Sequence, residues 1–186
     1  MQVNKIIPLV TIKDRNATEK ILKSLERSSI HSAEITFRTE YAAEAITVAA
    51  RNFPYMNVGA GTVINAEQCR QALDAGAKFI VSPGLSVPVA EICRKENIPY
   101  YPGCVTPTEI MQALAQGITI VKYFPANLYG GLKAMQTLAA PFPQIKFIPT
   151  GGINGENMAE YLAWEKTYAV GGSFFTEEAL KKWGRS

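Results

Sequence analysis

Eight short runs of β-branched, aromatic and small residues recur along the chain. This recurrence constrains the fold more than any other feature. The runs are IIPLVTI from Ile6, AEITFR from Ala33, MNVGAGTV from Met56, FIVSPG from Phe79, PYYPGC from Pro99, ITIVKYFPA from Ile118, KFIPTGG from Lys146 and YAVGGSFF from Tyr168. Their starts lie roughly 20 to 28 residues apart, and each has the composition of a strand bounded by turn residues. Between them lie helix-like segments such as NATEKILKSLERS, NAEQCRQALDAG, VPVAEICRKEN, TPTEIMQALAQG and GENMAEYLAWEK. Caps are expected at Asn16, Asn65 and Thr106, and glycine stops at Gly76 and Gly117.

Strand and helix alternating eight times predicts an α/β fold with a parallel sheet. Eight units fit a closed (β/α)8 TIM barrel better than an open doubly wound sheet. The 186 residues suffice for one domain, 1–186, with lean loops. Only about five residues precede the first strand, and TEEALKKWGRS after the last allows a helix of about two or three turns. A compact barrel with shortened N- and C-terminal helices is therefore expected.

Composition matters here for what it excludes. Lys and Arg are scattered, the net charge is +3, and no basic stripe marks the chain for nucleic acid. No apolar run is long enough to span a membrane, and no secretory leader is evident, so a cytoplasmic location is expected. Cys69, Cys93 and Cys104 lack metal or disulfide spacing and read as reduced, buried thiols. With a single histidine, His31, placed before strand two, neither a zinc centre nor a histidine triad is expected. Trp164 and Trp183 read as packing residues.

Chemistry in such a barrel sits at the C-terminal ends of the strands. In AEITFR, alternation places Ala33, Ile35 and Phe37 on one face and Glu34, Thr36 and Arg38 on the other. The apolar face packs on the helices, so the polar set is expected inside. Lys122 shares a face with Ile120 and Phe124, although parity alone does not say which face points inward. Buried charges are costly unless paired or functional. Burial disfavours an amine's charged form, and a neutral amine can attack a ketone to form a Schiff base. A carboxylate beside it can shuttle protons, and a guanidinium can grip a carboxylate at two points.

PTGGI (Pro149 to Ile153) and GGSF (Gly171 to Phe174) end strands seven and eight, where this fold commonly binds phosphate. GAGT (Gly59 to Thr62) lacks the third glycine of a dinucleotide fingerprint. Thr62 there offers a hydroxyl at the mouth of strand three, or is simply a satisfied strand-end threonine.

In this order, EITFRTE, VGAGTVIN, VSPGL, PGCVTPTE, VKYFPA, PTGGI and GGSFF resemble the 2-keto-3-deoxy-6-phosphogluconate (KDPG) and 4-hydroxy-2-oxoglutarate (KHG) aldolases, from about Ile7 to Phe175. The resemblance implies a class I, metal-independent aldolase with no cofactor, assembling as a homotrimer and acting on a small 2-keto acid. By motif it implies Lys122 as the Schiff-base lysine and Glu34 as general acid/base. Arg38 and Thr62 would hold the substrate carboxylate. Thr150, Gly151, Gly152, Gly171, Gly172 and Ser173 would receive the phosphate, and Pro83 and Phe124 would line the pocket. The RTE at Arg38 to Glu40 favours the gluconate-type branch over the galactose-type one. Three features depart from the family pattern: Asn127 where a glutamate is common, no helix before strand one, and a short C-terminal tail. The residues alone also leave open a phosphosugar isomerase or epimerase, and a non-catalytic phosphometabolite-binding barrel.

Overall fold

The computed structural model describes residues 5–184. All eight expected strands form: β1 Ile6–Val10, β2 Ser32–Thr36, β3 Asn57–Gly61, β4 Ile80–Val81, β5 Tyr100–Tyr101, β6 Ile120–Tyr123, β7 Lys146–Pro149 and β8 Val170–Gly172. Each is followed by a helix: α1 Thr18–Arg27, α2 Ala42–Asn52, α3 Ala66–Asp74, α4 Val87–Lys95, α5 Pro107–Ala115, α6 Gly131–Ala139, α7 Met158–Ala163 and α8 Phe174–Trp183.

Six parallel strands form one sheet in the order β5-β4-β3-β2-β1-β8, and β6 pairs with β7. Single bridges join the two pieces into a ring. Gly103 bridges Lys122, with Lys122 N–H donating to Pro102 O at 2.8 Å and Cys104 N–H to Lys122 O at 2.9 Å. On the other side Phe147 bridges Thr167 and Thr150 bridges Gly171. The expected (β/α)8 barrel is therefore what the chain builds. The expectation about a helix before strand one concerns in part residues 1–4, outside the described residues. At the other end α8 runs ten residues, close to three turns.

The helices form where caps and apolar spacing demand. Asn65 Oδ1 accepts from Gln68 N–H at 2.9 Å, and Thr106 with Glu109 makes a reciprocal capping box. Gly76 and Gly117 end their helices with φ of 97° and 77°, a conformation that costs glycine little. Asn16 is not a cap. Asp14 instead accepts from Asn16 N–H and opens a 3-10 turn over Arg15–Ala17, which leads into α1.

Alternation along the strands separates two cores. Outward residues such as Val10, Ile35, Val58, Ile80, Val121 and Phe147 pack beneath the helices. Inward residues form a smaller cluster of Ile7, Phe79, Val81, Tyr101, Ile148 and Ala169, with Ile120 and Tyr168 against it. The rings of Phe79, Tyr101 and Tyr168 succeed one another at centroid distances of 5.8 and 6.0 Å. They floor the barrel's N-terminal half. Burying one such side chain contributes about 1.5–3 kcal/mol. Membership of Ile120 in this cluster settles the parity of β6: Lys122, two residues on, points inward.

Candidate active site

Above the aromatic floor the inward positions change character. Lys122 Nζ lies 3.2 Å from Glu34 Oε1, and both side chains are about 95 % shielded (5 % and 4 % exposed). The two come from β6 and β2, 88 positions apart in the chain. A buried ion pair is maintained only where geometry holds the partners together. Glycines supply that geometry. A Cβ at Gly61, next door on β3, would run into the Glu34 carboxylate, and one at Gly59 would strike the Phe79 ring. The two glycines of GAGT thus leave volume for a carboxylate and an aromatic ring, a requirement unrelated to nucleotide binding. Gly171 plays the same part for Thr150, whose Oγ1 sits where its Cβ would be. The ring of Phe124 lies 5.3 Å from Lys122 Nζ and offers its face to the ammonium.

Thr36 is fully buried beside Glu34's strand positions and is satisfied internally. Its hydroxyl meets Thr11 Oγ1 at 2.8 Å and donates to Val10 O at 3.3 Å. Arg38 departs from the inward placement expected for it. The strand ends at Thr36, the chain turns at Phe37, and Arg38 stands exposed on the rim. There its Nε donates to Thr62 Oγ1 at 3.2 Å, so the two residues paired by the sequence reading do meet. Thr62 has φ of 57°, a left-handed conformation that is strained for a β-branched residue. Strain of this kind gathers at functional sites.

The loops after β7 and β8 lie side by side through the Thr150–Gly171 bridge. Gly151 and Gly152 are both left-handed, at 92° and 77°. The N–H groups of Gly152 and Ile153 meet no acceptor among the described residues. Gly172 and exposed Ser173 lead into α8, whose first-turn amides are also unspent, as at any helix start. Thr150 lies deeper: it is buried and its hydroxyl donates to Ile148 O at 3.3 Å. Pro83 stands exposed at the rim, its carbonyl against Gly103, where a Cβ would collide with it. The arrangement therefore has a reactive pair in the middle, a guanidinium–hydroxyl pair on one rim and an amide-rich rim beside the β6 loop.

Other nucleophiles are withheld. Cys104 follows Gly103, but burial, with Glu109 adding to it, pushes its thiol up to about 12. Cys69 of α3 and Cys93 of α4 are buried with their sulfurs 3.8 Å apart. His31 is exposed, and Trp164 stacks on Phe147 at 5.7 Å, both as the sequence suggested. Among the described residues no group of three or more His, Cys, Asp or Glu side chains stands together as a metal site. No helix of the described residues is long and apolar enough to cross a membrane. Clefts of about 660 and 420 Å³ open away from this pair, the first lined by residues such as Tyr129 and Lys133, the second reaching the floor residues Tyr101 and Tyr168 beside Arg94. Neither is lined by Lys122 or Glu34, so the side-chain constellation, not cleft size, marks the site.

Comparison with known proteins gives the family. The family model described as KDPG and KHG aldolase matches residues 1–184. A 2-dehydro-3-deoxy-phosphogluconate aldolase from Treponema pallidum is 42 % identical over 170 residues, 91 % of this chain and 81 % of that protein. A KDPG aldolase from Legionella pneumophila, whose crystal structure holds pyruvate captured at low pH as a covalent carbinolamine intermediate, superposes with a TM-score of 0.90. It is 37 % identical, and the match covers 96 % of this chain and 87 % of the other. The aldolase of Zymomonas mobilis ZM4, solved with 3-phosphoglycerate, gives a TM-score of 0.90 at 32 % identity, covering 100 % and 93 %. The chain belongs to the KDPG and KHG aldolase family.

Proposed function

We propose that this chain is a class I, metal-independent aldolase that cleaves KDPG, 4-hydroxy-2-oxoglutarate or both to pyruvate and an aldehyde. The observation that carries the reading is the buried contact of 3.2 Å between Lys122 Nζ and Glu34 Oε1, near the C-terminal end of a barrel strand.

The pair supplies both groups the reaction needs. Glu34 takes the proton that Lys122 must lose before its nitrogen attacks the C2 ketone. The resulting carbinolamine loses its hydroxyl as water, with Glu34 returning the proton, and leaves a cationic iminium on Nζ. Deprotonation of the C4 hydroxyl, again toward Glu34, lets the C3–C4 electron pair move onto the iminium. The aldehyde departs, and an enamine of pyruvate remains on Lys122. Protonation at C3 and hydrolysis release pyruvate and restore the amine. Phe124, over Nζ, faces the cation that forms.

The carboxylate of the keto acid binds at the rim. Arg38 presents its fork there, oriented by Thr62. A distal phosphate, when present, sits against the amides of Gly151, Gly152, Gly172 and Ser173, with Thr150 buried beneath as support. Pro83 and Phe124 wall the space between. The enzyme works as a cytoplasmic homotrimer, as the resemblance implies.

The test is reduction with borohydride in the presence of pyruvate, followed by peptide mass mapping. A reduced pyruvate adduct is expected on Lys122 and on no other residue, and it disappears in Lys122→Ala. A wild type that forms no adduct sinks the mechanism. Turnover of a phosphosugar without an adduct would favour an isomerase on the same scaffold.

A further inference from the structure

Asn127 is the first exposed residue after the buried end of the β6 loop, and it is tied to the glycine rim by its backbone. Ala126 N–H donates to Thr150 O at 2.8 Å and Asn127 N–H to Gly151 O at 3.2 Å, so the β6 loop runs along the β7 loop past the ends of both strands. The Asn127 side chain then fills the space that a side chain at Gly152 would claim. A Cβ built there would lie 2.6 Å from Asn127 Cβ and 2.7 Å from its Nδ2. Gly152 also holds a left-handed φ of 77°, and Asn157 Nδ2 grips its carbonyl at 2.8 Å. The loop is thus held open on one side by Asn157 and covered on the other by Asn127. The Asn127 amide makes no hydrogen bond to any described residue, and it stands against Gly152, whose own N–H is unspent.

We propose that Asn127 is a specificity-determining residue that donates an Nδ2–H bond to the distal phosphate of the substrate, completing a rim built of neutral donors. The inference deepens the aldolase reading above and rests on it. An amide at this place adds a donor without charge. A carboxylate of the same shape would set a negative charge against a phosphate dianion and remove both donors. Because the residue is pinned through main-chain bonds, substitution changes the group presented and leaves the loop in place.

The probes are inorganic phosphate, followed by phosphorus NMR titration, and two substrates, KDPG and 4-hydroxy-2-oxoglutarate, in the wild type, Asn127→Asp and Asn127→Ala. Loss of a hydrogen bond to a charged group predicts a fall in phosphate affinity of about tenfold or more in Asn127→Asp, and a smaller fall in Asn127→Ala. The ratio of kcat/KM for KDPG to that for 4-hydroxy-2-oxoglutarate should fall in the same order. The proposal is overturned by a wild type that does not bind phosphate. It is equally overturned by an Asn127→Asp variant that binds phosphate within about twofold of wild type, or by equal losses on both substrates. Failure of the aldolase reading would show separately, as absence of the pyruvate adduct on Lys122, and the phosphate titration would still decide the role of Asn127.

Discussion

Gly61→Ala tests the site through a residue that has no side chain of its own. The added Cβ would lie 2.5 Å from the Glu34 carboxyl carbon, where carbon atoms pack at about 3.5 Å. The carboxylate must withdraw by roughly 1 Å, which stretches its 3.2 Å contact with Lys122 beyond hydrogen-bond range. At an effective dielectric of about 20, lengthening the pair by 1 Å costs about 1 kcal/mol, and the lost charge-assisted bond costs about 1.5–3 kcal/mol more. Alanine offsets about 0.4–1 kcal/mol of this by restricting the unfolded chain. The net loss is about 1.5–3.5 kcal/mol, a fall in Tm of roughly 3–14 °C for a chain of this length. On the mechanism proposed above, displacing Glu34 should lower kcat/KM by about 10²–10⁴. Circular dichroism melting and a lactate-dehydrogenase-coupled pyruvate assay measure the two effects. A variant with wild-type Tm and kcat/KM within about threefold of wild type would refute the claim that the Gly61 vacancy positions Glu34.

Two further outcomes follow from strain and burial. Thr62→Gly relieves a left-handed threonine that costs about 1–2 kcal/mol, partly offset by the flexibility of glycine, so urea unfolding should show equal or slightly greater stability. The same change removes the hydroxyl that orients Arg38, so KM for the keto acid should rise. Cys104 is held protonated, up to about 12, by burial, while an unfolded thiol ionises near 8.5. The folded pKa is the higher one, so its contribution is intact below pH ~8.5 and is lost as pH rises toward 12, by up to about 1.4 kcal/mol per pH unit. Urea midpoints at pH 7.5, 9 and 10 should fall in that order, and less steeply in Cys104→Ala.

Much of the architecture was legible because it depends on local chemistry. The eight strands announce themselves through β-branched runs closed by Gly and Pro. Asn65 and Thr106 announce their helices because a cap needs only a side-chain oxygen and an amide three residues on. What sequence could not supply was register. Gly61 matters to Glu34 only because β2 pairs with β3 so that Thr36 lies opposite Gly61 and the Glu34 side chain leans across it. The inward face of β6 was ambiguous because Ile120, Val121 and Tyr123 are apolar on both sides, and packing of Tyr123 against Phe147 beneath the helices decided it. Arg38 was misplaced because alternation continues in the letters after the strand has ended. Asn16 lost the cap to Asp14 because a 3-10 turn starts the segment earlier than the helical pattern does. Asn127 gave no local cue to its contact with a glycine 25 positions away.

The aromatic floor of Phe79, Tyr101 and Tyr168 fills the barrel beneath Lys122 and Glu34, so the pair is reached from the mouth above. On the mechanism proposed above, a substrate bound through C2 to Lys122 would have its pyruvate half at depth and its aldehyde half toward the mouth. Both products leave by the same door, and the water that hydrolyses the covalent intermediate enters by it. The aldehyde must therefore clear the mouth before the pyruvate half can be freed. Kinetically this is an ordered one-in, two-out scheme, in which pyruvate, last to leave, competes with substrate for the empty enzyme and the aldehyde does not.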